Sequence, residues 1–175
     1  MESIDRRRTI IWQDPKKNTR DVSNVSGLDY LRSIQNEIIA PPPVAMLIGY
    51  KILNVKNGYV VYELDPKEYH YNPFSSVHGG IISTLLDTAM TAAVLSTLTQ
   101  GTNCSTIEIK VNFVRPVTSK CGTVKCEAQV LHIGKSFATA EGKLKDPNGK
   151  LYAHGLSTCS IFKSEVGYSP KIKVC

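Results

Sequence analysis

The densest run of apolar residues in the chain lies between residues 78 and 99. Its apolar side chains fall nearly all round a helix, and the run contains a single acid, Asp87. A helix that is apolar on every side is usually buried. The pattern therefore predicts one central helix of about six turns, from His78 to about Thr99, which Gly101 ends.

Alternating apolar and polar residues predict strands on both sides of this helix. Two strands precede it, joined by Asn57-Gly58, a strong two-residue hairpin signal. Four strands follow it, and we expect hairpin-length turns between them. The predicted strands are residues 50–56, 59–64, 106–114, 123–131, 136–145 and 151–162. This order predicts an α+β fold, an antiparallel sheet of about six strands wrapped around one long helix.

The first forty residues follow a different pattern. Residues 1–25 are polar and charged, and we expect an arm that is partly flexible or ordered on contact. Ser26 can cap a helix that runs to about Ile39, and Pro41-Pro42-Pro43 stops it. A short helical turn is expected at residues 42–48 and a loop at 66–74. The predicted division is an N-terminal arm and helix (1–41), one main domain (42–163) and a C-terminal tail (164–175).

Length and composition suit one globular domain, because 42% of the 175 residues are hydrophobic. The net charge of +6 favours an anionic partner, although the basic clusters near both ends are typical of solvated tails. Aromatic residues make up only 7% of the chain and no stacking motif is visible, which argues against nucleic-acid binding. No apolar run approaches the roughly 20 residues of a membrane span.

The five cysteines are odd in number and form no CxxC pair. This spacing predicts neither a disulfide framework nor a zinc site. Reduced thiols in the cytoplasm are the simpler interpretation. We therefore expect a cytoplasmic protein that needs no metal.

The start of the central helix carries the first candidate chemistry. His78-Gly79-Gly80 points backbone N–H groups at whatever precedes the helix, and such a helix start suits an anion or a developing oxyanion. His78 alone is also a common helix cap. Asn72 can donate to a thioester carbonyl, but Asn-Pro is also a common turn opener.

Asp87 is the second candidate. A carboxylate is expensive to bury among apolar residues, so Asp87 is either a capped acid in a packing seam or a general base or nucleophile. It lies eight residues past Gly79, about 12 Å along the helix axis. The two cannot act on one carbonyl within a single chain. A two-fold pair of antiparallel helices would bring Asp87 of one chain near His78-Gly79 of the other.

Two later turns carry basic residues. Arg115-Pro116 follows the third strand, and Gly134-Lys135-Ser136 joins the fourth and fifth. Backbone N–H groups with Arg115 and Lys135 could hold phosphates, or both could be solvated turns. Thr106, at the start of the third strand, could hold a water molecule or be an ordinary strand residue.

Four short motifs in this order resemble the hotdog-fold acyl-CoA thioesterases. Within them the chain is similar to the PaaI-like (phenylacetate-pathway) branch of the 4-hydroxybenzoyl-CoA thioesterase superfamily, which carries Asp rather than Glu at the acid position. The resemblance covers about residues 42–163, and residues 1–40 are similar to a bacterial subset. The motifs are Asn72-Pro73 with Val77-His78-Gly79-Gly80, Leu85-Leu86-Asp87, Lys110 to Pro116, and Gly134 to Phe137.

The resemblance implies a role for each candidate residue. Gly79 N–H would polarise the thioester carbonyl, Asn72 would position the substrate or water, and His78 would orient the loop. Asp87 of the facing subunit would act on water or attack directly, assisted by the Thr106 hydroxyl. Two segments, Phe113 to Thr118 and His132 to Phe137, would hold coenzyme A together with Ser160. The implied binding residues are Phe113, Val114, Arg115, Pro116, His132, Gly134, Lys135, Ser136, Phe137 and Ser160.

The function implied by the resemblance is hydrolysis of an acyl-CoA to free acid and CoA. The enzyme would be a homo-oligomer, at least a dimer and also expected as a tetramer, with coenzyme A present only as part of the substrate. The alternatives are a hotdog enoyl-CoA hydratase and an acyl-CoA-binding protein without turnover. Ser75 stands where the family usually has Gly, so we expect a narrower acyl pocket or a changed loop backbone there.

Overall fold

The computed structural model of the 175-residue chain describes residues 5–15 and 25–163. Its α-helices are α1 (Gly27–Gln35), α2 (Pro43–Ile48) and α3 (Gly79–Leu95). Short 3-10 turns lie at Glu68–His70 and Ser119–Cys121. The strands are β1 (Tyr50–Lys56), β2 (Tyr59–Leu64), β3 (Thr102–Phe113), β4 (Val124–Ile133), β5 (Phe137–Lys145) and β6 (Leu151–Lys163).

The six strands form one antiparallel sheet in the order β1-β2-β4-β5-β6-β3. One face of this sheet packs on α3, whose Leu85, Leu86 and Met90 are fully buried. The predicted α+β fold, an antiparallel sheet around one central helix, is therefore confirmed. The long strand β3 lies at the edge of the sheet and pairs only with β6 within the described chain.

The third and fourth strands, which we expected to be joined by a turn of hairpin length, do not pair with each other. β3 pairs with β6, while β4 lies between β2 and β5. The connecting segment packs beneath the start of α3, where Val117 is buried and its carbonyl accepts the Val77 N–H at 2.8 Å. The connection thus supports the loop that leads into α3.

Helix α3 begins as predicted and ends early. The His78 ring caps it, but the helix stops at Leu95 rather than Thr99. Ser96 and Thr97 donate their hydroxyls to the carbonyls of Ala93 and Val94, both at 2.7 Å. Such local bonds compete with the continuation of a helix.

Helix α1 lies across the C-terminal end of α3. Its predicted cap is present, since Ser26 Oγ accepts the Asp29 N–H. The helix ends at Gln35 instead of Ile39, because Glu37 adopts a left-handed φ of 59°. A Cβ at Gly27 would lie 1.9 Å from the Leu95 carbonyl oxygen, so only glycine allows this contact.

The arginine-rich arm makes specific contacts where it is described. Arg6 pairs with Glu68 at 2.8 Å. Arg8 donates to the carbonyls of Leu47 and Met46 and lies 4.1 Å from the centre of the Tyr69 ring. These contacts agree with an arm that is ordered on contact, although the Arg6 side chain stays largely exposed. Other basic residues of the clusters near the two ends of the chain lie outside the described residues, namely Lys16, Lys17, Arg20, Lys171 and Lys173.

The structure bears on two expectations from the sequence, which concern the cysteines and membrane-spanning segments. Cys104, Cys121, Cys126 and Cys159 carry free thiols, while Cys175 lies outside the described residues. Within residues 5–15 and 25–163, no helix is long and apolar enough to cross a membrane.

Candidate functional site

Asp87 and Thr106 meet where the middle of α3 faces the first half of β3. Thr106 Oγ1 donates to Asp87 Oδ1 at 2.7 Å. Thr91 Oγ1 lies 2.8 Å from Thr106 Oγ1. Since a threonine hydroxyl has one proton and that of Thr106 goes to the carboxylate, Thr91 donates to Thr106. Two hydroxyls in series therefore hold one oxygen of Asp87.

The second carboxylate oxygen of Asp87 is left for a ligand or water. In the described part of the chain, every fully buried side-chain nitrogen or oxygen has a hydrogen-bond partner. None of the hydrogen bonds within the described ranges goes to Asp87 Oδ2, so this oxygen must reach solvent. A carboxylate with one oxygen fixed and the other accessible can accept a proton or attack a carbonyl carbon.

Asp87 lines a cavity of about 490 Å³ between α1, β1 and α3. Tyr50 and Tyr62 stack edge to face on one wall, with their ring centres 5.6 Å apart. The Tyr50 hydroxyl lies 3.3 Å from Thr88 Oγ1. Burial raises the pKa of Tyr50, and the Asp87 charge acts in the same direction against the Thr88 hydrogen bond. The Tyr50 hydroxyl is consequently protonated near neutral pH.

The start of α3 presents an N–H without a protein acceptor. His78 Nδ1 accepts the Gly80 N–H at 2.9 Å, so the His78 ring is the helix cap. No residue within 5–15 or 25–163 accepts the Gly79 N–H. A Cβ at Gly79 would come within 3.2 Å of the Phe113 ring. The open donor at the positive end of the helix dipole suits a developing oxyanion.

Asn72 organises the loop before α3. Its Oδ1 accepts the Phe74 N–H at 2.9 Å and the Ser76 N–H at 3.3 Å. Between them Ser75 has φ of 60°, a left-handed conformation that costs a residue with a side chain roughly 1–2 kcal/mol. Gly pays no such cost, which explains why Gly suits this position and Ser75 is a departure.

A second cavity of about 350 Å³ opens beside the start of α3. The predicted binding residues Phe113, Val114, Arg115 and Pro116 line it together with Asn72 and Gly79. Arg115 Nη1 donates to the Leu151 carbonyl at 2.6 Å. This cavity brings the predicted carbonyl-polarising N–H together with one of the two predicted coenzyme segments.

The other predicted coenzyme segment lies at the opposite end of the sheet. Phe137 pairs with Ser160, and Ser160 pairs with Ser105, next to Thr106. His132 near the end of β4 is exposed, and so are the turn residues Gly134, Lys135 and Ser136 that precede Phe137.

Register gives the distance between the two segments. Phe113 pairs with Ala153, seven residues from Ser160 on β6 and thus about 23 Å away along the strand. A single chain cannot place both segments on the same phosphate group.

Three residues near Asp87 were not among the predicted site residues. Thr91 lies four residues after Asp87 and therefore on the same helix face, so its position was readable from the sequence although its role was not. Tyr30 and Tyr50 also line the Asp87 cavity. The residues around Tyr30 and Tyr50 in the sequence do not indicate a site, because only the packing of α1 and β1 against α3 brings the two tyrosines to the Asp87 cavity.

The amino-acid sequence of the chain is similar to those of known proteins of one family. Residues 74–153 match the model of the thioesterase superfamily. The chain is 30% identical to 1,4-dihydroxy-2-naphthoyl-CoA hydrolase of Listeria monocytogenes over 65% of this chain and 89% of that protein. It is 30% identical to human acyl-coenzyme A thioesterase 13, over 61% of this chain and 76% of that protein.

Solved structures with the same fold are also similar to this chain. A phenylacetic acid degradation-related protein of Ralstonia eutropha superimposes with a TM-score of 0.68 at 27% identity, covering 75% of this chain and 98% of that one. The PaaI protein of the Escherichia coli phenylacetic acid degradation operon has a TM-score of 0.69 at 22% identity, covering 79% of this chain and 98% of that one. The latter likeness concerns the fold alone.

Proposed function

The chain belongs to the thioesterase superfamily, and from this we propose that it hydrolyses an acyl-CoA thioester to a free acid and CoA. The observation that carries the proposal is Asp87, whose Oδ1 is held by Thr106 at 2.7 Å at the edge of a cavity of about 490 Å³. The two curated relatives, which are named as a CoA hydrolase and an acyl-CoA thioesterase, support the substrate class.

The proposed reaction uses water and the protein's own groups. Asp87 Oδ2 takes a proton from water as the water oxygen bonds to the thioester carbon. The carbon–sulfur bond then breaks, and the sulfur leaves with its electron pair and is protonated to CoA thiol. Alternatively Asp87 attacks the carbon itself, and water hydrolyses the resulting anhydride. Neither route calls for a metal or a redox cofactor.

Polarisation of the carbonyl requires a second subunit. Gly79 and Asp87 stand about 12 Å apart on one straight helix, so we propose that the Gly79 N–H of one protomer serves the Asp87 of its partner. A dimer with two such sites follows from this proposal, and pairing of dimers into a tetramer and a cytoplasmic location stay predictions. The same arrangement would join the two separated coenzyme segments in one site.

Replacement of the carboxylate tests the assignment. We expect Asp87→Asn to lower kcat/KM by roughly 10²–10⁴-fold, the usual contribution of a general base. The measurement is thiol release from a panel of acetyl, octanoyl, palmitoyl and benzoyl-CoA. Asp65→Asn is the matched control, because Asp65 is an exposed acid that pairs with Lys67. Full activity of Asp87→Asn, or no hydrolysis of any thioester by the wild type, would contradict the proposal.

Adding an enoyl-CoA to this panel, and measuring binding as well as turnover, separates the two alternatives. A hydratase would change the absorbance of an enoyl-CoA without releasing thiol. An acyl-CoA-binding protein would bind the panel without turnover. Within the described residues no specific contact favours either alternative, since the His78 ring, which a hydratase would use together with an acid, is engaged as the cap of α3.

A further inference from the structure

The cavity at Asp87 extends well beyond the reacting groups. Asp87 and Thr106 lie on its lining, and further lining residues come from the N-terminal region, among them Tyr30, Leu31 and Ile34 of α1 and Val44 of α2. Its volume of about 490 Å³ falls within the range of roughly 300–1,000 Å³ typical of pockets for drug-sized ligands. A thioester carbonyl held at Asp87 would need only a small part of this space.

Helix α1 is a fixed wall of this cavity. The Gly27 N–H donates to the Leu98 carbonyl at 3.0 Å, and Gln35 Nε2 donates to the Leu53 carbonyl at 2.9 Å. Both ends of α1 are therefore bonded to the main domain. Between them Tyr30 and Leu31 are buried, with exposed fractions of 8% and 3%.

The chemistry of the lining changes along the cavity. Hydroxyl and carboxylate groups cluster at Thr106, Thr91 and Asp87, where a thioester would react. The wall formed by α1 and α2 is mainly apolar, with Leu31, Ile34 and Val44. An acyl-CoA carries amides and phosphates on the CoA side of its thioester, so an apolar space next to Asp87 suits a large apolar group on the acyl side.

We propose that the cavity walled by α1 and α2 is the acyl pocket, and that Ile34 and Val44 set its size limit, so that the enzyme prefers bulky apolar acyl groups to acetyl. This inference rests on the proposed thioester hydrolysis. According to this inference the N-terminal helices determine which acyl groups are accepted. These helices precede residues 74–153, the region that matches the family. The acyl group then lies in the protomer that supplies Asp87.

Filling the cavity tests the inference. Ile34→Trp and, from the other helix, Val44→Trp each place a large ring in the pocket without touching the Asp87 hydrogen bonds. We expect wild-type kcat/KM to rise by roughly fourfold for each methylene that is buried, from acetyl to octanoyl-CoA. Each variant should lower kcat/KM for octanoyl and benzoyl-CoA at least tenfold more than for acetyl-CoA, whose acyl group is too short to reach the added ring.

The matched control is Ile38→Trp, the same replacement just beyond α1, where the side chain is 76% exposed. It should leave the whole series unchanged, and melting temperatures identify any variant that fails to fold. A larger effect on octanoyl or on benzoyl-CoA shows whether the pocket suits a straight chain or a ring, and either supports the inference. Equal slowing of acetyl and bulky thioesters by both folded variants, or no slowing, overturns it.

The same series of thioesters distinguishes a failure of the acyl-pocket assignment from a failure of the proposed hydrolysis. Hydrolysis with no preference for acyl size overturns the acyl pocket and leaves the proposed function intact. A wild-type enzyme that hydrolyses none of the thioesters overturns the proposed function, and the pocket assignment falls with it.

Discussion

Asp87 depends on a side chain that never touches the substrate in the proposed reaction. Thr91 donates to Thr106, which donates to Asp87 Oδ1, so Thr91 is a positioning residue. We expect Thr91→Val, a replacement of nearly the same shape, to lower kcat roughly five- to tenfold with little change in KM, because one hydrogen bond of about 1 kcal/mol is lost. Steady-state kinetics with one good thioester substrate measures the effect on kcat separately from the effect on KM.

Two variants make this prediction specific. Thr91→Ser keeps the hydroxyl and should restore most of kcat. Thr84→Val removes a hydroxyl from the same helix, where it donates to the Gly80 carbonyl, and should leave kcat unchanged. A Thr91→Val enzyme as fast as Thr84→Val would show that Thr106 holds the carboxylate alone.

At the scale of single residues, the sequence predicts what is locally anomalous. Asp87 stands out because it is an acid in an apolar helix, and Gly79 because it opens that helix. Tyr30 and Tyr50 escape notice, since their place in the cavity depends on how α1 and β1 pack on α3. The meeting of Thr106 with Asp87 likewise depends on the register of β3 in the sheet, which alternation alone does not give.

At the scale of elements, local sequence signals predict whether a segment is a helix or a strand. They are less reliable for where a helix ends and for which strands pair. The hairpin at Asn57-Gly58 is where it was predicted, with φ of 73° at Gly58. The end of α3 was missed by four residues because Ser96 and Thr97 bond to nearby carbonyls. The pairing of β3 with β6 is a long-range contact. No turn joins the two strands directly, so the local sequence does not predict that they pair.

One buried histidine joins elements that surround the candidate site. His70 Nδ1 accepts the Lys67 N–H at 3.0 Å, and Nε2 therefore carries the proton and donates to the Ile48 carbonyl at 2.8 Å. The His70 carbonyl accepts the His78 N–H at 2.8 Å. His70 thus ties the end of α2 to the cap of α3, and only its neutral ring can accept the Lys67 N–H at Nδ1.

Stability should accordingly fall in mild acid. Burial lowers the pKa of His70 below its usual 6.5, and the Arg8 charge acts in the same direction against the Ile48 hydrogen bond. Below about pH 6.5 the unfolded chain then binds a proton that the folded chain excludes, so the free energy of unfolding decreases as pH falls. Urea unfolding from pH 8 to 5 measures the slope.

The control is His70→Gln, whose amide can still donate to the Ile48 carbonyl but does not titrate. This variant should be less stable at pH 8 and should lose part of the pH dependence of the wild type. Parallel curves for the two proteins would show that another group causes the acid sensitivity.

At the scale of the whole molecule, the two halves of the proposed site lie at different cavities of one protomer, about 12 Å apart along α3. Gly79 lies by the second cavity with Phe113 and Arg115, whereas Asp87 lies by the first with Thr106. The sequence predicted this separation from helical rise alone. The edge strand β3 exposes Ile107, with 58% of its surface accessible, and gives a second protomer a strand to pair with.

A mixture of two defective proteins tests whether the site is shared. Asp87→Asn removes the acid, and Gly79→Ala places a Cβ within 3.2 Å of the Phe113 ring beside the N–H. In a heterodimer of these variants one site carries both defects, but the other takes Asp87 from one protomer and Gly79 from its partner and is intact. Random pairing makes half the dimers mixed, so about one quarter of wild-type activity should return.

The measurement requires subunit exchange, either by joint refolding or by co-expression of the two variants with different affinity tags. Asp87→Asn exchanged with itself is the control and should stay inactive, as should each variant before mixing. If each site lies within one protomer, the mixed dimer contains no intact site and its activity only averages the two parents. Recovery above that average therefore depends on Gly79 and Asp87 acting across the dimer interface.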